Sequence, residues 1–285
     1  MGEYTVKEHY VSQFLLEYFS NKSGKVRVIN LEQRDKGAYS TFPRNIFYSS
    51  NLYETKNMDD TYFERNAIEK QFCEFEGKMA IKIPEIIRWV EKGNVLSRNQ
   101  QGDLATLVAM QLIRNPFVRD FFREANSYLS EPQEKELRSN AMYRMVIGSI
   151  ESGAEYLKAN DFTLSEESLN KLKRENAFQM VYDFIMNECD VYIIKADKHS
   201  FCIGDNPVLI SIYDNARYIF PIMPCYAIVC ALTNETDEEY NVLRYVEEDV
   251  VTYINNKSML SAKRFVVFRE DDEQYMVNQS KCFDK

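Results

Sequence analysis

Six polar residues set into apolar runs are the positions of this chain at which chemistry can be sought: His9, Glu69, Glu76, Gln111, Arg114 and Asp205. In His9-Tyr10-Val11-Ser12-Gln13-Phe14-Leu15-Leu16, His9 and Gln13 stand four apart, a spacing that predicts neighbours on one face of a helix. An imidazole there can act as a general base or a metal ligand, and equally as a hydrogen-bonded structural residue. The chain's other histidine, His199, lies in a hydrophilic Lys-Ala-Asp-Lys-His turn that reads as exposed.

Glu69 and Glu76 fall on one edge of an apolar stripe, about 10 Å apart along a helix axis. Two carboxylates at that separation can line one cavity, but they share a cation only by leaning together or with a third ligand between them. Charged residues that border a stripe are also ordinary surface, as Glu64 and Glu74 read here. Gln111 continues the core face of Leu104, Leu107 and Val108, where a buried amide needs partners. Arg114, beside the break at Pro116, can hold a carboxylate or phosphate bidentately, or can fix helix packing through an internal pair with Glu69 or Glu76. Asp205 sits in Gly204-Asp205-Asn206-Pro207, an acidic turn between two strand-like runs; turn chemistry explains it, and so does a ligand-binding loop to which Asn206 adds an amide.

Two functions follow from these residues. One is a metal-dependent hydrolase of nuclease or phosphoesterase type, acting on a nucleic acid or nucleotide. Glu69, Glu76 and Asp205 hold Mg or Mn, His9, Gln111 and Asp205 serve the reaction, and Arg114 steadies a phosphate. The other is a non-catalytic interaction or regulatory module whose polar residues form a closed, fully paired network locking the helices onto the sheet. Phosphate-loop, dinucleotide, zincin, nucleophile-elbow and kinase motifs are absent, so no nucleotide or flavin cofactor is expected.

The elements that must position these residues divide into two blocks. The spacing predicts an amphipathic helix over 5–19 and then, from Ser20 to Tyr53, a cross-connection with a strand over Lys25–Asn30 and an irregular aromatic stretch containing Thr41-Phe42-Pro43 and Phe47-Tyr48. A long helix follows from Asp59 to about Gly93, with Pro84 inside it, then one from Asn99 to Tyr128 broken at Pro116. Ser130-Glu131-Pro132-Gln133 reads as a capping box opening a helix to Leu157, and another helix runs from Thr163–Ser165 to Glu188. After Glu188 the period changes to that of strands: Val191–Ala196, Ser200–Ile203, Val208–Tyr213, Tyr218–Pro221, Tyr226–Leu232 and Arg264–Phe268, with a turn at Asp214-Asn215. A helix capped by Thr236-x-x-Glu239 interrupts them, ending near Ser258.

Long helices in the first two thirds followed by a mainly antiparallel sheet give an α+β fold. With no linker rich in Gly, Pro or Ser, the expectation is one compact domain over 1–285, with a helical lobe to about 188 and a β-rich lobe from about 189. The 285 residues are 45% hydrophobic, enough for a sizeable core. Subtracting 44 acidic from 35 basic residues gives a net charge of −9, which weighs against a general nucleic-acid binder. The six cysteines show no Cys-x-x-Cys spacing and read as reduced, mostly buried and inert. No apolar run approaches the ~20 residues of a membrane span and the start MGEYTVKEHY is unlike a signal peptide, so the expected location is cytoplasmic.

Taken in order, His9-Tyr10 to Phe14-Leu15 with Phe19, Ile68-Glu69 through Glu76, Gln111-x-x-Arg114, Asp205-Asn206-Pro207-Val208, Phe220-Pro221 and Asn256 resemble a bacterial family of unknown function, DUF4238, with its His-Tyr-x-x-x-x-Leu-x-x-Phe signature. The resemblance spans nearly the whole chain and implies that these polar residues are family features that converge. It supplies no reaction; a bacterial defence or mobile-element setting suits such a family.

Overall fold

In the computed structural model, which describes residues 4–174, 176–211, 215–233 and 243–282, the N-terminal quarter is made of short pieces. Strand β1 (Lys7–His9) precedes a short helix α1 (Gln13–Glu17), then come β2 (Val26–Asn30), β3 (Ala38–Thr41), β4 (Tyr48–Ser50), β5 (Thr55–Lys56) and β6 (Tyr62–Phe63). The helix expected over 5–19 therefore begins only at Gln13, because Lys7–His9 is extended and pairs antiparallel with β4, His9 opposite Tyr48. The cross-connection read from Ser20 to Tyr53 holds, besides the predicted strand, β3 and β4, strands too short for an alternating pattern to register.

Strand β6, paired with β5, occupies the first turns of the helix predicted from Asp59, so helix α2 spans Ala67–Glu91, running through Pro84. Helix α3 (Arg98–Ile113) opens with a capping box in which Ser97 N–H donates to Gln100 Oε1 at 2.8 Å. Pro116, which has no N–H to give a preceding turn, starts a separate helix α4 (Pro116–Ala125) capped by Asn115, so the helix expected over 99–128 is two. Helix α5 (Pro132–Ile147) starts after Glu131 with no side-chain cap, and Ser130 does not play the predicted part. It ends at Gly148, and Ser149 caps α6 (Ile150–Ala159). The last predicted helix of this block is likewise two, α7 (Glu166–Arg174) and α8 (Ala177–Glu188), the second capped by Asn176.

Strands follow from Cys189: β7 (Cys189–Ala196), β8 (Ile203–Gly204), β9 (Leu209–Ile210), β10 (Ala216–Met223), β11 (Tyr226–Leu232) and β12 (Arg244–Val246). Helix α9 (Glu248–Ser261), strand β13 (Phe265–Phe268) and a helix α10 (Glu273–Lys281), not foreseen in the sequence, complete the described chain. Strand β12 lies inside the helix predicted from Thr236; the Thr236–Glu239 cap and Asp214 of the predicted turn lie outside the described residues.

A five-stranded sheet has the order β12-β7-β11-β10-β9, antiparallel except for β12 beside β7. A four-stranded antiparallel sheet, β3-β2-β13-β8, joins the early strands β2 and β3 to β13, the last described strand. The fold is α+β, with α1 to α8 in the first two thirds and the larger sheet, α9 and α10 after them. Its largest apolar cluster takes Leu15 and Leu16 from α1, Ile83 from α2, Leu104 and Val108 from α3, Ile185 from α8 and Ile193, Phe220 and Ile228 from the five-stranded sheet. Among the described residues no helix is long and apolar enough to cross a membrane.

Helices α5 and α6 approach closely at Gly153, where a Cβ would lie 2.7 Å from the Ala141 carbonyl oxygen and against the Met145 side chain. Backbone cannot yield as a flexible tip can, so Gly153→Ala is expected to cost roughly 1–3 kcal/mol in urea unfolding. Gly77, inside α2 with nothing within 4 Å of its would-be Cβ, is the opposite case. Gly77→Ala should stabilise by about 0.5–1 kcal/mol in the same measurement.

Candidate functional site

The strip Leu52–Thr55, between β4 and the body of the β5–β6 pair, is buried throughout. Backbone that lies inside a protein without a long ladder must find other partners, and here side chains supply them. The Leu52 and Glu54 carbonyls accept from Arg119 of α4 at 2.8 and 3.2 Å. Thr55 Oγ1 accepts from Arg144 of α5 at 3.1 Å, and the Tyr53 N–H donates to Glu8 Oε2 at 2.7 Å. The Tyr53 hydroxyl donates to the His9 carbonyl at 2.7 Å and accepts from Arg114 Nε at 3.1 Å.

Arg114 caps the C-terminus of α3, two residues before Pro116, and is 2% exposed. Besides Tyr53, its guanidinium donates to Ser12 Oγ at 2.9 Å, Glu76 Oε1 at 2.5 Å and the His9 carbonyl at 2.5 Å, and it lies 4.4 Å from the centre of the Phe72 ring. Burial works against its charge, but Tyr53 and Glu76 outweigh burial and raise its pKa, so it remains a cation. Gln111 has its amide satisfied: Nε2 donates to the Tyr10 carbonyl, and Oε1 accepts from Ser12 Oγ at 3.4 Å.

His9 is buried on a strand and not on a helix, yet its Nδ1 still meets Gln13 Nε2 at 3.0 Å across the turn into α1. Its Nε2 is enclosed without a partner among the described residues. Burial lowers the imidazole pKa, Glu76 opposing and Arg114 reinforcing. Glu69 feels Arg114, Glu76 and Glu54; burial pushes its carboxyl up to about 7, and its Oε2 is also enclosed without a partner. His9, Glu69, Glu76, Gln111 and Arg114 thus gather around one guanidinium.

Asp205 does not join them through any hydrogen bond. Its carboxylate accepts from the backbone N–H groups of Lys263, Arg264 and Phe265 at 2.7, 2.8 and 3.3 Å, which fixes the entry to β13. Burial raises its pKa against the pull of those three donors. Asn206 links this turn to α4's cap, its Oδ1 accepting from Asn115 Nδ2 at 3.0 Å. Among the described residues no group of three or more His, Cys, Asp or Glu side chains is disposed to hold a metal ion.

Several residues of this interior escaped the sequence reading. Glu8 and Glu54 hydrogen-bond to each other, and Asn66 donates to Glu54 Oε1 from its backbone N–H at 2.7 Å and from Nδ2 at 3.0 Å. Both acids lie in short extended segments that present no periodic face. Arg144, 1% exposed, did leave a signal, since it follows Leu137 and Ala141 at helical spacing. It pairs with Glu64 at 2.9 Å, so Glu64 is not simply solvated. His199 is half-buried, not exposed, because the unforeseen α10 brings Tyr275 to stack on it at 4.0 Å and Asp272 lies 3.0 Å from its Nδ1. Of the cysteines, Cys189, Cys202 and Cys230 are buried and Cys73 and Cys282 exposed; burial pushes the Cys202 thiol up to about 12.

Burial, opposed by the Tyr53 N–H and reinforced by Glu54 and Glu69, pushes the Glu8 carboxyl up to about 8 from an ordinary 4.5. The folded chain therefore keeps a proton that the unfolded chain releases, and the associated stability is full below about pH 4.5 and declines as pH rises to about 8. Glu8→Gln, which keeps a donor for Glu54 and an acceptor for Tyr53, should flatten most of that decline when urea midpoints are compared at pH 6 and pH 9. A residual slope belongs to Glu69.

The family model described as "Protein of unknown function (DUF4238)" matches residues 7–272, taking in β1 through the turn before α10 and every residue of the Arg114 cluster. No curated protein matches the chain, and no solved structure does. The match covers far more than half of the sequence, and the chain belongs to the DUF4238 family.

Proposed function

We propose that this chain is a non-catalytic interaction module, in which the Arg114 network is an internal lock that holds the N-terminal strands and the Leu52–Thr55 strip onto the helices. The observation that carries this reading is the enclosure of Arg114: its guanidinium ends on oxygens of Tyr53, Ser12, Glu76 and His9. A fork so occupied is not free to grip a substrate phosphate. The three amides on Asp205 support the same reading, because they claim the carboxylate that a divalent cation would need.

A metal-dependent hydrolase of nuclease or phosphoesterase type is the second reading, favoured by two of the atoms enclosed without a partner among the described residues, His9 Nε2 and Glu69 Oε2. In it Glu69 and Glu76 hold Mg or Mn and His9 acts as base on a phosphate-containing substrate.

Urea unfolding and manganese separate the two. Glu76→Ala strands Arg114 without its carboxylate and should cost roughly 3 kcal/mol, while the apolar double variant Glu76→Leu/Arg114→Met should recover much of that loss. Single and double variants both within about 0.5 kcal/mol of the parent would remove the lock from the account. The module reading expects no anomalous density at Glu69 and Glu76 in crystals grown with manganese; an ion bound there favours the hydrolase.

A further inference from the structure

Beside the Leu52–Thr55 strip, a cleft of about 450 Å³ opens between the 51–62 segment, α4 and α5, with Tyr156 of α6 in its wall; neither Arg114 nor Glu76 lines it. That volume lies within the roughly 300–1,000 Å³ of small-molecule sites. Three cations line it, Lys56, Arg119 and Arg123, and their charge is compensated unequally. Lys56 pairs with Asp60 at 3.2 Å and Arg123 with Glu136 at 3.4 Å. Both pairs are exposed on both sides, so each contributes little and exchanges readily for another anion.

Arg119 differs. Among the described residues no carboxylate oxygen forms an ion pair with it; its partners are the Leu52 and Glu54 carbonyls and, at 3.5 Å, the Asn140 amide oxygen. Its guanidinium also lies 5.4 Å from the centre of the buried Tyr143 ring. Neutral oxygens thus fix the plane of a half-buried cation without neutralising it. Such a group attracts an anion more strongly than a solvated one, and because it is already ordered, less conformational entropy is lost when the anion arrives. Glu54, the remaining acid of the cleft, accepts from Asn66 and bonds to Glu8. Four amide side chains, Asn140 among them, offer donors and acceptors around the rest of the wall.

We propose that this cleft binds a small organic anion, with a carboxylate or phosphate group received by Arg119 and Arg123 and its other polar groups met by the amides. The site uses none of the residues of the Arg114 lock, so either proposal can fail without the other.

The test is isothermal titration of the full chain with inorganic phosphate and with malonate, at matched ionic strength against chloride. Saturable binding of at least one probe is expected, and the preferred probe separates a phosphate ligand from a carboxylate ligand. Arg123→Glu, an exposed change that leaves the strip's bonds intact, should weaken that binding roughly ten-fold or more, as should Arg119→Gln. Arg119 also supports the strip, so its variant counts only if circular dichroism shows it folded; Arg123→Glu decides the matter alone if it is not. Absence of saturable binding to both probes, or binding that Arg123→Glu leaves unchanged, would overturn the proposal.

Discussion

Four buried residues without a long ladder to satisfy them impose the central constraint on this molecule. Each polar group of Leu52–Thr55 has left water, and a buried group without a partner costs about 1–3 kcal/mol. The chain meets that demand with arginines from three successive helices, Arg114 at the end of α3, Arg119 on α4 and Arg144 on α5, each reaching a different residue of the strip. Each guanidinium also lies over an aromatic ring, Phe72, Tyr143 and Phe63 respectively. A planar fork with five donors and a flat apolar face suits both tasks, which an ammonium on a flexible stem does not.

Bringing cations inside obliges acids to follow, and the acids arrive in excess. Glu76 answers Arg114 and Glu64 answers Arg144, while Glu8, Glu54 and Glu69 crowd the same interior. Burial, reinforced by the neighbouring acids Glu54 and Glu69, pushes the Glu8 carboxyl up, and Glu8 keeps its proton as the consequence. The polar interior therefore ties the order of three helices to the protonation of one carboxyl. Arg119, held by neutral oxygens, presents its positive charge at a cleft wall.

How much of this is legible in the sequence depends on the length over which each feature repeats. The division into helices and strands near Glu188 is legible because long stripes average out local exceptions; His9, Glu69, Glu76, Gln111 and Arg114 are legible singly, as polar residues within or beside apolar runs, and only the family resemblance implies that they converge. The helix break at Pro116 is legible because proline imposes it, whereas the turn at Gly148 lies inside a continuous apolar pattern, and the short β1 strand hides in residues that also fit a helix. Asp205 is a different failure. A turn acid looks the same in sequence whether it faces a ligand or caps three backbone amides, and only the return of β13 beside it decides. Leu52–Thr55 is opaque because its partners lie in α3, α4 and α5, far along the chain, and Arg119 binds its backbone, which carries no sequence signal.

The account stands or falls on whether the strip is part of the rigid interior, and the backbone amide of Tyr53, which donates to the buried carboxyl of Glu8, reports on it most directly. Hydrogen exchange at that amide should be as slow as at the middle of α3, opening only with global unfolding. Exchange at the pace of an exposed loop, while α3 stays protected, would contradict the claim that the three arginines hold the strip in place.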